Sequence, residues 1–183
     1  MNDFLNYIIL GIIQGLTEFF PVSSSGHLVL FQDYLKITTE GASAEIIAHF
    51  GTLFSILLFY KSSFFAFNKE DDFFNIHNVR LLAVSTIPAV IFGFIFDFEQ
   101  FFNYSFVQYS LMANGFIIIF MSFFKNSFSF KLNFKSAFIL GFFQSVAILP
   151  GISRSGMVIS SALMLGLDKE KSIKYCFFMV IPI

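Results

Sequence analysis

The sequence predicts an all-α, polytopic membrane protein with inverted-topology repeats and two re-entrant helical hairpins. Three observations carry that prediction. The chain repeats itself: Gly11-Ile12-Ile13-Gln14 runs on to Ser23-Ser24-Ser25-Gly26, and Gly141-Phe142-Phe143-Gln144 runs on to Ser153-Arg154-Ser155-Gly156. The offset is 130 residues with no gap, and Gly, Gln, Ser, Ser and Gly coincide at five positions of a sixteen-residue window. Two copies of one polar break inside apolar helices point to a membrane protein whose site lies where the breaks meet. The second observation is composition. Hydrophobic residues make up 56% and charged residues 13%, against about 25% charged in soluble domains, and mean hydropathy is +0.77. The third is the grouping of basic residues into three loops: Lys61, Lys69 and Arg80; Lys125, Lys131 and Lys135; Lys169, Lys171 and Lys174.

Taken in order, the uncharged stretches justify each element. A hydrocarbon core of about 30 Å needs roughly 20 helical residues. Phe4–Thr17 is too short to span alone and leads into the first break, which a short apolar helix follows. Ile46–Tyr60 reaches spanning length if extended to Phe67 with Lys61 snorkelling. Leu81–Phe96 is marginal, with Arg80 at its end, and Tyr104–Phe124 is long enough. Ser136–Ser153 and Ser155–Leu167 flank the second break, and Tyr175–Ile183 begins a last segment. Each break then reads as a hairpin that turns near the midplane, a backbone tolerated only when buried in protein or lining a wet cavity. If the hairpins do not cross and the three middle segments do, all nine grouped basic residues fall on the cytoplasmic side. The two hairpins then enter from opposite faces. We read one membrane domain over 1–183, with repeat one over about 1–124 and repeat two from about 132, incomplete at the C-terminus.

Other features exclude more than they specify. A net charge of −1 gives no sign of a nucleic-acid partner, and the single Cys176 cannot form an internal disulfide. No basic region or small-residue cleavage site precedes the first apolar run, so no signal peptide is expected.

The polar residues of the breaks point to anion chemistry. Gln14 and Glu18 are four apart and share a helix face. Ser23, Ser24, Ser25 and Gly26 read as the first turn of the following helix, with His27 on the same side as Ser24. Ser153, Arg154, Ser155 and Gly156 take the matching place. Two helix N-termini would point into one cavity, which suits phosphate. Arg154 adds a bidentate fork, and a guanidinium at membrane depth demands an anionic partner. The serines flanking Ser24 and Arg154 equally suit capping, and Gln14 and Gln144 suit either helix packing or ligand contact. His49 is expected to pack or to support a neighbour. Gly11, Gly141 and Gly166 are expected to let helices approach closely. No zinc-type spacing occurs, so any metal is expected to be hard and oxygen-ligated.

Gln14-x-x-x-Glu18, Pro21-Val22-Ser23-Ser24-Ser25-Gly26-His27 and Pro150-Gly151-Ile152-Ser153-Arg154-Ser155-Gly156 closely resemble the undecaprenyl-diphosphate phosphatases of the bacitracin-resistance type. The resemblance runs over essentially the whole chain, and Ala44–Thr52 resembles the start of that family's next segment. It implies a multi-pass hydrolase of the bacterial cytoplasmic (inner) membrane. Such an enzyme removes one phosphate from the polyprenyl diphosphate lipid that carries cell-wall precursors. It implies catalytic roles for Glu18, Ser24, His27 and Arg154. Substrate binding would fall to Gln14, Ser23, Ser25, Gly26, Ser153, Ser155 and Gly156. Glu18 would hold a divalent cation, Mg²⁺ or Ca²⁺, at a site where the family allows Glu or Gln for Gln14. His27 would act as base on either the Ser24 hydroxyl or a water, so a phosphoserine intermediate and direct attack both stay open. Family members are longer, and this chain stops inside the segment after Lys174, so much of repeat two is expected to be missing. The alternatives are an inactive truncated remnant and a secondary transporter or lipid-phosphate flippase. A carrier needs anion binding but neither nucleophile nor base, so the set Ser24, His27 and Arg154 separates these readings.

Overall fold

A computed structural model of the chain describes residues 3–37, 43–62, 75–124 and 131–182. These residues form eight α-helices and one 3₁₀ turn, with no strand among them. α1 (Asp3–Thr17) and α2 (Ser24–Leu35) pack together across the first break, and α3 (Ser43–Phe59) packs on α1. α4 (Ile76–Ile95) and α5 (Tyr104–Ser122) are joined through the 3₁₀ turn Glu99–Phe101. α6 (Phe134–Val146) and α7 (Arg154–Met164) pack together across the second break, and α8 (Lys169–Phe178) lies on α7. α5 touches both α2 and α7, which brings the two breaks to one place.

Local chemistry sets most helix starts. Asn75, Asn103, Asn133 and Asp168 each accept a backbone N–H three residues on, from Asn78, Phe106, Ser136 and Lys171, at 2.9 to 3.0 Å. Such a cap contributes about 1 kcal/mol. Asn133 and Ser136 bond reciprocally, with Ser136 Oγ accepting the Asn133 N–H at 2.8 Å, a capping box. The Asp168 cap also corrects one expectation. The run Asp168-Lys169-Glu170-Lys171 is the cap and first turn of α8, so this helix starts ahead of Tyr175 and ends at Phe178. The extension of the third segment to Phe67 lies largely outside the described residues, as do Lys69 and Lys125.

The core joins α4, α6, α7 and α8 around Leu81, Leu140, Val158, Tyr175 and Phe178. Tyr175 secures it by donating its hydroxyl to the Leu81 carbonyl at 3.0 Å. α4 and α6 make the most extensive helix contact. Gly141 permits this, since a Cβ there would meet the Ser85 carbonyl oxygen at 2.1 Å. Small residues at a helix contact let backbones come together where apolar burial gives no gain. A Cβ on Gly11, its repeat counterpart, would meet nothing outside its own helix within 4 Å among the described residues. Gly166 serves differently again, with φ +76 just past the end of α7.

Exposure is arranged for an apolar surround. Phe94 is 88% exposed, Phe116 69% and Phe120 63%, while Ser85, Ser136, Gln14 and Asn114 are buried. Among the described residues, α4 and α5 are long and apolar enough to cross a membrane. The shorter α1, α3 and α6 are apolar as well.

Candidate active site

The two breaks are built alike. Ser23 caps α2 and accepts the Gly26 N–H at 3.3 Å, and Ser153 caps α7 and accepts the Gly156 N–H at 3.0 Å. Ser23 and Ser25 hydroxyls lie 3.3 Å apart, and Ser153 and Ser155 hydroxyls 3.2 Å apart. Ser23 adopts φ +64, whereas Ser153 is extended at φ −79. A non-glycine residue in the left-handed region is strained and needs outside support. The His27 ring gives it, with Nδ1 donating to the Ser23 carbonyl at 2.7 Å.

Direct bonds join the breaks. Ser155 donates to the Phe20 carbonyl at 2.8 Å. Asn114, buried in the middle of α5, accepts the Ser153 N–H at 2.9 Å and reaches the Pro21 carbonyl at 3.4 Å. The loops touch backbone to backbone: a Cβ on Gly26 would lie 2.9 Å from the Gly151 Cα, and Gly151 itself holds φ +95.

At the junction, one carboxylate collects the charge. Arg154 donates to Glu18 Oε1. Ser24 Oγ donates to Glu18 Oε2 at 2.5 Å, and Gln14 Nε2 donates to the same oxygen at 3.0 Å. Gln14 also reaches Thr52 Oγ at 3.4 Å, which ties α1 to α3. The partner expected for Arg154 is therefore Glu18, within the protein. His49 Nε2 sits 3.3 Å from Glu18 Oε2, and its Nδ1 lies 2.7 Å from the Glu45 carbonyl. With Nδ1–H given to that carbonyl, the ring meets Glu18 as a donor only when both nitrogens carry protons.

Above this cluster lies a cavity of about 660 Å³. Its polar wall holds Glu18, Ser24, Glu45, His49, Gln144, Ser153 and Arg154, and its apolar wall holds Ile46, Phe50, Val90 and Phe94. Of the residues singled out from sequence, Glu18, Ser23, Ser24, Ser25, His49, Gln144, Ser153, Arg154 and Ser155 line it. Gln14 stands behind Glu18, Gly26 and Gly156 are buried in the loop packing, and His27 is absent from the lining.

Glu45 and Asn114 lie at or beside this cavity without having been assigned to it. Their sequence signal was faint: single polar residues within apolar stretches, which in a membrane protein face the interior or a partner. His49 carried the same signal, and the expectation that it supports a neighbour understated its contact with Glu18.

The chain matches the model of the family described as bacitracin resistance protein BacA over residues 7–183. It belongs to that family. The undecaprenyl-diphosphatase of Thermosipho africanus is 39% identical, over 98% of this chain and 75% of that protein. That of Christiangramia forsetii is 37% identical over 99% and 72%, and undecaprenyl-diphosphatase 1 of Bacillus licheniformis is 36% identical over 99% and 74%. The chain thus spans about three quarters of the length of these curated relatives. Family membership and the apolar helices together make this a membrane protein.

Proposed function

We propose that the protein hydrolyses undecaprenyl diphosphate to undecaprenyl phosphate and phosphate, at the cavity where the two breaks meet. The observation that carries this reading is the bonding of Glu18 to both Ser24 and Arg154 on the floor of a cavity with one apolar wall. The names of the relatives support the same substrate. The diphosphate sits at the ends of α2 and α7, where first-turn N–H groups lack intrahelical partners and favour anions. Arg154 swings its fork from Glu18 to phosphate oxygens and stabilises charge on the transferred phosphoryl. The prenyl tail leaves along the apolar wall.

Ser24 Oγ, already donating to Glu18, attacks the terminal phosphorus. Glu18 takes the proton, the bond from that phosphorus to the bridging oxygen breaks, and the prenyl monophosphate leaves. Water then attacks that phosphorus, giving a proton to His49 Nε2; the P–Oγ bond breaks, Ser24 Oγ takes back the proton held by Glu18, and phosphate leaves. His49 passes the proton taken from water to solvent, while His27 holds the strained Ser23 turn that presents Ser24. Ser23, Ser25, Gly26, Ser153, Ser155 and Gly156 shape the N–H cradle, and Gln14 orients Glu18.

Among the described residues no group of three or more His, Cys, Asp or Glu could hold a metal ion by itself, so a divalent cation, Mg²⁺ or Ca²⁺, would enter with the phosphate as a further ligand. Glu18 is engaged through both oxygens, but Glu45 keeps a buried Oε2 without a hydrogen-bond partner among the described residues, on the same cavity wall. Glu45 would offer that oxygen, Glu18 would join it through the oxygen that Arg154 gives up, and phosphate oxygens and water would complete an all-oxygen set around the ion. When bound, it would neutralise phosphate charge.

For topology, we propose two re-entrant hairpins, α1–α2 and α6–α7, entering from opposite faces of the cytoplasmic membrane as inverted repeats within one domain. Supporting this are the matched caps at offset 130 and the grouping of nine basic residues into three loops that this topology would bring to one side. Single cysteines at Ser62, Asn103 and Lys131, in a chain with Cys176 replaced, are expected to react with an impermeant reagent in intact cells only at Asn103. Reaction at Ser62 but not Lys131 would sink the inverted arrangement.

The decisive assay is phosphate release from a polyprenyl diphosphate by the purified chain, with and without divalent cation. Binding of a diphosphate analogue with no release would favour a carrier.

A further inference from the structure

Gln14 and Gln144 hold equivalent places in the two breaks, and their surroundings are opposite. Gln14 donates to Glu18 at 3.0 Å and lies 3.4 Å from Thr52 Oγ. Four residues after Gln144 stands Ile148, so the local acceptor is missing. Gln144 is 2% exposed, and neither its Nε2 nor its Oε1 has a hydrogen-bond partner among the described residues. Both amide atoms are unpaired, so flipping the amide changes nothing. Its side chain lines the same cavity as Arg154, Ser153 and Ser24. A buried polar group without a partner is costly, whereas an apolar group of like shape in its place is neutral or stabilising. The cavity that Gln144 lines also holds the Arg154 guanidinium, a group that binds phosphate oxygens, so an anion held there can partner the amide N–H.

We infer that Gln144 is a substrate-binding residue, its amide N–H donating to a phosphate oxygen of the diphosphate next to Arg154. This rests on the phosphatase reading and assigns it a specificity residue in the second repeat. The amide pairs only with bound ligand, so Gln144 trades stability of the empty protein for affinity. A packing residue would show the opposite: its removal would loosen the empty protein.

The test is the full chain with Gln144→Leu and Gln144→Glu. Three readouts are taken: KM and kcat for a polyprenyl diphosphate, the thermal midpoint without ligand, and the midpoint shift given by a prenyl methylenediphosphonate. Gln144→Leu is expected to raise KM about tenfold or more with kcat changed less, to keep or raise the empty midpoint, and to lose most of the analogue shift. Gln144→Glu, with a carboxylate facing phosphate, is expected to weaken analogue binding further. Unchanged KM and analogue shift in Gln144→Leu overturn the assignment. So does a lower empty midpoint with activity falling only as the folded fraction falls. A wild-type chain that binds the analogue without releasing phosphate defeats the phosphatase reading alone, and the analogue shift still judges Gln144. A wild-type chain that neither binds nor hydrolyses overturns both.

Discussion

The first break, 14–26, and the second, 144–156, share their caps but divide the chemistry. The first has Glu18 where the second has Ile148, and the second has Arg154 where the first has Ser24. Those differences meet on a single group: Ser24 takes one oxygen of Glu18 and Arg154 takes the other. The matched parts of the repeat build two helix ends, and the mismatched parts make a site from them. A symmetric pair of breaks could hold an anion. Acid, hydroxyl and guanidinium in one place require that the copies differ.

The largest expected effect comes from removing the charge of the second break. Arg154→Ala should abolish phosphate release and leave Glu18 as an uncompensated buried charge, a loss of about 3 kcal/mol or more in stability. Arg154→Lys should restore folding better than turnover, because Lys lacks the planar fork. Full turnover in the Lys variant would reduce Arg154 to a point charge.

Next in size is the hydroxyl of the first break. Ser24→Ala should lower phosphate release about a thousandfold or more, by loss of the nucleophile, and should abolish any trappable phosphoserine. If it releases phosphate at the parental rate, water attacks directly and Ser24 only orients it.

A smaller effect separates the two histidines. His49→Ala should lower kcat about a hundredfold, within the usual range for proton-transfer assistance, with analogue binding little changed. His27→Ala should act through the Ser23 turn, lowering the thermal midpoint and kcat together. The reverse pattern, a large kcat loss at His27 with unchanged midpoint, would return the base role to His27 as the sequence first assigned it.

The smallest effect tests the repeat away from the chemistry. Gly11 and Gly141 are counterparts, yet only Gly141 is pressed against a neighbouring backbone. Gly141→Ala should destabilise by about 1–3 kcal/mol through overpacking. Gly11→Ala should be neutral or stabilising by up to about 1 kcal/mol, since Ala favours helix. Equal responses in thermal unfolding would mean that α1 has a close helix neighbour at Gly11 too.

Much of this was legible from residues alone. The offset of 130 located both breaks. The serine clusters marked the starts of α2 and α7, because capping is decided within three residues of chain. Asn75, Asn103 and Asn133 show that the same local logic sets other helix starts. The last segment, expected from Tyr175, starts earlier for a related reason: Asp168 caps α8 through the Lys171 N–H, and the uncharged stretch alone did not mark that start.

By itself, then, the sequence determined the class of protein, the two breaks, their helix ends and the residue types available for an anion. Tertiary structure decided which of these meet. Glu18 and Arg154 are 136 positions apart, and Asn114 reaches Pro21 across 93 and Ser153 across 39. Periodicity and capping speak only for neighbours within a turn or two of helix. Such distant pairs come together because α5 packs on both α2 and α7, and α4 on α6 through Gly141. The same packing placed His49 against Glu18 and left Gln144 without a hydrogen-bond partner among the described residues, two outcomes that local motifs alone do not set.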